Sequence, residues 1–522
     1  MEAVNPEFQG ANRGGGILIW MLAVLSLAFS LWAIRVGWDN SLYDFYGFRQ
    51  AQTAISAETI RNGGPILHYE TPVLGPPWSM PFEFPLYQVL VAGLSKLFVM
   101  HIDQAGRLVS VVFFYLCLFP LASIMSKLGL QRLQIVPTLA IFAANPFYIF
   151  ISRLVMIEST ALFFGLAYLS QMLALARAQE GDKVPRHIVL AALCGTIAGT
   201  VKVTTFAPYF MLGVVLMGWK FLRQRRGGKW ASKQFLAICG FCIVLPAAAT
   251  AMWTKFADAV KLRNPIAAQL TSGGLRTFNF GTLSQRLHRH SYEWIRWNLG
   301  HLVGYHLLAL ILVLALIFYR RSLWVMALCF AVYIGTAEIF FNLYYIHQYY
   351  PYAVSVLILG ALGYIFGSLL GLPDKRAWLG LALFAIVLAQ SGRAYLRDFY
   401  PLQSTSAPGK PGAAAWIDRT TRPDDAILIF GWGYSSELPY QSQRRAIMDW
   451  QPDWQPESTV YNTLQKAIDN EGAANIGAVV VCNRSQPGWP AYVKELGMPA
   501  TPQAYEDGCD LYERNALPQG SQ

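Results

Sequence analysis

The sequence predicts a polytopic all-α membrane bundle of about eleven spans with a soluble α/β domain at its C-terminus. Three observations predict it. Apolar runs of roughly 20 residues recur between Ile17 and Gln390, each long enough as helix to cross about 30 Å of hydrocarbon. Of the 522 residues 54% are hydrophobic and only 14% charged, against about a quarter charged in a soluble domain. After Arg393 the composition returns to that of a soluble protein.

In chain order, the first span is 17–36, built on the apolar run Ile17–Ile34. It is too long for a signal-peptide core and lacks a small-x-small cleavage site, so it reads as an uncleaved anchor. The further spans are 104–126, 134–152, 158–178, 188–203, 205–221, 235–254, 301–319, 322–341, 352–371 and 377–392. Between the first two, residues 85–100 are apolar but short, bounded by Pro81 and Pro85 and broken by Lys96. Laying this segment along the membrane surface gathers Arg13, Lys127, Arg132, Arg177, Arg320, Arg321, Lys375 and the Arg223–Lys233 cluster on one side. Basic residues in short loops stay cytoplasmic, so that side is the cytoplasm. Residues 37–103, 255–300 and the C-terminal domain then lie outside, as does the 85–100 helix, interfacial or re-entrant. The formal charge of +11 is accounted for by inner loops facing anionic lipid and gives no reason to expect nucleic acid.

One loop breaks the pattern. Residues 255–300 carry Lys255, Lys261, Arg263, Arg276, Arg286, Arg289 and Arg296 against Asp258 and Glu293, on the outer side. An anionic ligand at the membrane surface explains such a loop.

The polytopic domain covers 1–395 and the tail domain 396–522. In the tail, Ala426–Phe430 and Gly477–Val481 read as buried strands after helices near 412–420 and 458–472, with a last strand through Leu511-Tyr512. Gly431-Trp432-Gly433 is a turn, since the glycine spacing of a dinucleotide site is absent. Five of the seven cysteines sit in apolar runs and read as packing residues, Cys239 and Cys242 among them. Cys482 and Cys509 could form a disulfide in an oxidising compartment.

Ionisable residues gather at the outer ends of different spans, where burial makes them costly and marks a site. Asp44, Arg49, Gln52 and Glu83 come from the first outer loop. Arg153 and Glu158 flank a turn, Lys202 ends a span, and His347 and Tyr349 lie in the turn Tyr344–Tyr350. Acids can deprotonate an acceptor hydroxyl or hold a divalent metal, and cations can neutralise a phosphate. Each has a plainer alternative. Asp44 could cap the helix expected from about residue 48, Glu83 could be a solvated acid, and Arg153 and Glu158 could pair at their turn. Lys202 could snorkel to the interface, and His347 could belong to an aromatic belt. Glu338 lies within a span and needs a partner the sequence does not name.

Phe48-Arg49-Gln50-Ala51-Gln52-Thr53-Ala54 and Phe82-Glu83-Phe84-Pro85-Leu86-Tyr87, followed by Gly106-Arg107-Leu108, Arg153 through Glu158 and Val201-Lys202-Val203, carry a family resemblance. Over residues 17–400 the order resembles the GT-C glycosyltransferases, in the bacterial branch related to protein O-mannosyltransferases and the lipid A aminoarabinose transferase. The resemblance implies inverting transfer of a sugar from a polyprenyl-phosphate donor to a periplasmic lipid, glycan or protein, in the bacterial inner membrane. It places the loop acid on Asp44 or Asp39, a metal- or substrate-contacting glutamate on Glu83, the turn acid on Glu158 and a donor-phosphate lysine on Lys202. Catalysis then falls to Asp44, Glu83 and Glu158, and substrate binding to Arg49, Gln52, Arg153, Lys202, His347 and Tyr349. Glu83 and His347 are the candidates for a divalent metal, and no other cofactor is implied. The chain departs from the family where it has Arg49-Gln50 in place of Asp-Glu. A transporter or flippase of lipid-linked saccharides is the alternative, although no internal repeat is visible; a ligase or polymerase of such saccharides is another.

Overall fold

The structure, a computed structural model, describes residues 13–42, 45–179, 181–226, 232–372, 374–405, 409–451, 458–485 and 488–514. Among these, eight helices are long and apolar enough to cross a membrane, so the chain is a multi-pass membrane protein. A ninth span results if Arg132–Ala143 and Pro146–Ser152, bent by 59°, count as one. The bend follows from local chemistry: Asn145 caps the second helix and Pro146 opens it, without an N–H to continue the first.

Length and apolarity alone do not reach eleven. Pro185–Val201 is a helix of only 17 residues. Tyr305–Ile339 runs for 35 residues, about 50 Å as straight helix. Its backbone breaks at Tyr319 (φ −156°, ψ 61°), which divides it into two shorter helices. Leu86–Phe98, read from sequence as a surface helix, is 13 residues long.

Contacts divide the chain into two compact units. The first comprises Met1–Trp38, Arg107–Met252 and Arg276–Thr405. Its centre is the Tyr352–Leu370 helix, apolar all round and buried along nearly its whole length, as such a helix must be. Gly363 and Gly367 let it approach Arg132–Ala143 closely, because a Cβ there would strike Thr138 and the Gln134 carbonyl.

The second unit comprises Asp39–Gly106, Trp253–Leu275 and Ser406–Gln522. It is built on a five-stranded sheet of order β2-β1-β3-β5-β4. β1 (Ala426–Phe430), β2 (Arg445–Met448) and β3 (Ile476–Val481) are parallel; β5 (Cys509–Glu513) pairs antiparallel with both β3 and the edge strand β4 (Ala504–Glu506). β1 is buried at every position, as an internal parallel strand should be. The exposed edge of β2 is covered by the first long loop: Gly75 N–H donates to the Ala446 carbonyl at 3.2 Å and Ala446 N–H to the Pro72 carbonyl at 2.9 Å. The Asn264 amide then ties that loop to the 253–275 segment, donating to the carbonyls of Gly75 at 2.7 Å and Pro77 at 3.1 Å. Cys482 and Cys509, neighbours across β3 and β5, are joined in a disulfide. Cys239 and Cys242 are free thiols.

Candidate active site

In the first unit, Pro185–Val201 ends where Lys202 takes an extended backbone (φ −160°, ψ 95°), and Val203–Arg226 begins at the next residue. The lysine side chain at that break is buried. Its ammonium meets Glu158, which opens the Glu158–Arg177 helix where the positive end of the helix dipole favours an acid. Both side chains are almost wholly buried, at 6% and 3% exposure. The lysine nitrogen also lies 4.9 Å from the ring centre of Tyr350 and 5.3 Å from that of Tyr349. His347 continues the row, stacked 5.2 Å from Tyr349 and 5.7 Å from Tyr350. Glu158 Oε2 is buried without a hydrogen-bond partner among the described residues. An unsatisfied buried carboxylate oxygen is costly and marks a position where a ligand group can settle.

In the second unit, the Gly47–Arg61 helix presents Arg49 and Gln52 one turn apart. The Arg49 guanidinium donates to Gln52 Oε1 and pairs with Glu83. The phenylalanines on either side fix Glu83: Trp253 Nε1–H donates to the Phe82 carbonyl at 3.1 Å and packs edge-on to Phe84 at 5.2 Å. The Lys261 ammonium lies over Phe82 at 5.1 Å. Tyr69 lies beneath, its oxygen accepting the Phe82 N–H at 2.9 Å; burial, then the Glu83 charge, push its phenol well above the usual range. The helix start is equally constrained, since a Cβ at Gly47 would collide with the Glu437 carboxylate.

Of the residues picked from sequence, Glu158, Lys202, His347 and Tyr349 come together in one unit, and Arg49, Gln52 and Glu83 in the other. Asp44 lies outside the described residues. Arg153 is buried and donates to the Gly37 carbonyl, which Arg107 also holds at 3.0 Å. Asp39 is exposed and accepts from Gln104 at 3.4 Å. Glu338 finds its partner in the basic loop: Arg286 Nε is 3.7 Å from Oε2. Tyr350 and Tyr434 were not singled out from sequence. Tyr434 packs edge-on to Phe48 at 5.0 Å, and the Arg49 charge opposes the upward push of burial on its phenol. The aromatic run around His347 is the only signal that pointed to Tyr350. Among the described residues no three His, Cys, Asp or Glu side chains gather as a cation-holding group. Glu83 is engaged by Arg49, and His347 stacks on Tyr349 and Tyr350.

A helical bundle carrying a C-terminal mixed sheet is a fold this chain shares with several solved transferases. Among solved structures it is similar to ArnT from Cupriavidus metallidurans bound to undecaprenyl phosphate, with TM-score 0.59 and 14% identity over 96% of this chain and 99% of that one. It is similar also to the archaeal oligosaccharyltransferase AglB from Archaeoglobus fulgidus, in complex with an inhibitory peptide and a dolichol-phosphate (TM-score 0.55, 13% identity, 89% and 69% covered). The arabinofuranosyltransferase AftD from Mycobacteria gives 0.52 at 15% identity, over 96% of this chain and 40% of that one. Identities this low carry the fold and nothing finer. By sequence, no protein-family model and no curated protein matches the chain.

Proposed function

We propose that this protein is a membrane glycosyltransferase that moves one sugar from a polyprenyl-phosphate donor to a hydroxyl of an acceptor outside the cytoplasm, with inversion at the anomeric carbon. The observation that carries the reading is Lys202, a cation held in the protein interior at a helix break, with an acid and two phenol rings around it. A buried ammonium of this kind suits the phosphate of a lipid-linked donor, and the fold likeness to a protein bound to undecaprenyl phosphate favours the same ligand class. His347, Tyr349 and Arg153 are assigned to the donor side. Arg49, Gln52 and Glu83 are assigned to substrate contact.

In the step itself the acceptor oxygen forms a bond to the anomeric carbon as the bond from that carbon to the phosphate oxygen breaks. The acceptor proton passes to a carboxylate, for which Asp44 is the candidate. The electron pair leaves with the polyprenyl phosphate, whose charge Lys202 neutralises. Glu158 keeps the lysine charged and in place. The disulfide supports an oxidising compartment for the tail domain.

Incubating the purified full-length protein with a set of undecaprenyl-phosphate monosaccharides tests this reading. Cleavage of the sugar–phosphate bond is expected; movement of intact donor across vesicles without cleavage would make the protein a carrier instead. Asp44→Asn is expected to lower turnover by about 10²–10⁴-fold in a folded protein, and wild-type turnover would remove Asp44 as base.

A further inference from the structure

The basic 255–300 loop leaves one feature that the transfer reaction does not use. In the first unit, the ends of Glu293–Leu302, Tyr305–Tyr319 and Arg376–Ala394 enclose a cavity of about 730 Å³. Arg296, His301, Tyr305, His306, Gln390 and Arg397 line it, and none of them belongs to the Lys202 cluster. Two glycines line it: Gly300, and Gly304 at φ +88°, where a side chain would be strained.

The charges in it are not equivalent. Arg397 is matched by its neighbour Asp398 through two hydrogen bonds of 2.7 Å, and His301 Nε2 lies 3.6 Å from the same acid. Glu293, the one acid on the rim, is turned to His290 Nδ1 at 2.8 Å. Arg296 has no carboxylate partner among the described residues and lies over the Tyr305 ring at 5.7 Å. One surplus guanidinium therefore faces the cavity, beside two imidazoles and an amide.

Beyond the cup, the two helices carry apolar residues along the same faces. Leu310 lies three residues beyond Leu307 on its helix, and Ile386 four residues before Gln390 on the neighbouring one. Those spacings continue the lining faces along the two packed helices, and both side chains are about half exposed. A cationic, hydrogen-bonding cup with exposed apolar side chains next along its helices matches an amphiphile with an anionic head and a hydrocarbon chain.

We propose that this cup is a binding site for the phosphate head group of an anionic membrane lipid, with Arg296 as its ion partner and the exposed Leu310 and Ile386 side chains against its hydrocarbon chain. The site is independent of the transfer reaction and of Lys202. Native mass spectrometry of the full-length protein released from detergent tests it, with phosphatidylglycerol as probe and phosphatidylcholine and inorganic phosphate as controls. Wild type is expected to retain one phosphatidylglycerol in preference to phosphatidylcholine. Arg296→Gln is expected to bind it at least tenfold more weakly. Leu310→Asn, which leaves the cup intact, is expected to weaken the same lipid, and Lys202→Ala to leave it unchanged. Equal retention of both lipids, or wild-type retention in folded Arg296→Gln or Leu310→Asn, overturns the proposal. Displacement of the lipid by millimolar inorganic phosphate overturns it too, in favour of a free-phosphate site.

Discussion

The Lys202–Glu158 and Arg49–Glu83 pairs join the same kinds of group in opposite surroundings. The first is sealed among phenol rings inside the helical unit, with both partners under 7% exposed. The second sits in the loop-and-sheet unit with 16% and 18% exposure, its acid held from either side by Phe82 and Phe84. In a dry interior an ion pair costs much of what it gains, and losing one partner strands the other. Near water the same pair contributes little and either partner can be exchanged. On the proposed function, the buried pair would hold a fixed charge for the donor phosphate and the half-buried pair would make the contacts that change with substrate.

The sharpest way to break that contrast is Lys202→Ala. It is expected to destabilise the protein by about 3–5 kcal/mol, by stranding Glu158, and to weaken donor binding. Thermal melting and donor titration read the two effects, and an unchanged donor affinity ends the phosphate role. Exchanging the pair together for Met and Leu should restore stability without restoring transfer. Next in size, replacing Cys482 and Cys509 by Ser opens a loop of sequence separation 27 and should cost about 3–4 kcal/mol, read as a lower melting temperature of the second unit.

A third effect belongs to Asp449, at the end of β2. Burial raises its carboxyl from 3.8 to about 6, and Oδ2 has no hydrogen-bond partner among the described residues. The folded protein therefore keeps a proton there that the unfolded chain releases. Stability falls as pH rises from about 4 to about 6 and then levels. Asp449→Asn should abolish that slope and gain about 2 kcal/mol at pH 7; a melting profile across this range checks it. The smallest expected change is Glu83→Gln, under about 1 kcal/mol in stability because the pair is partly solvated, with transfer reduced roughly tenfold. A stability loss matching that of Lys202→Ala would erase the distinction between the two pairs.

Legibility followed the range of the interaction. The spans around Ile17–Ile34 and 352–371 were readable because composition over one helix decides them. The helix expected from about residue 48 begins at Gly47, and the strands at 426–430 and near 477–481 stand where their apolar runs placed them. β2 has only four residues and was missed, as was the three-residue β4, since so short a run carries no period. The span count stayed open where helices were short, at Pro185–Val201, or joined without a polar loop, at Tyr319.

The sequence by itself determined that this chain is a membrane bundle with a soluble tail, and it named Glu158, Lys202 and Glu83, because hydrophobic run length and isolated charges in apolar stretches are local properties. Only the tertiary structure decided that Glu158 pairs with Lys202 and Glu338 with Arg286, and that the 39–106 and 253–275 segments pack with the tail sheet. Those outcomes depend on which helix faces meet and which strand edge is left uncovered, and such contacts join residues tens to hundreds of positions apart.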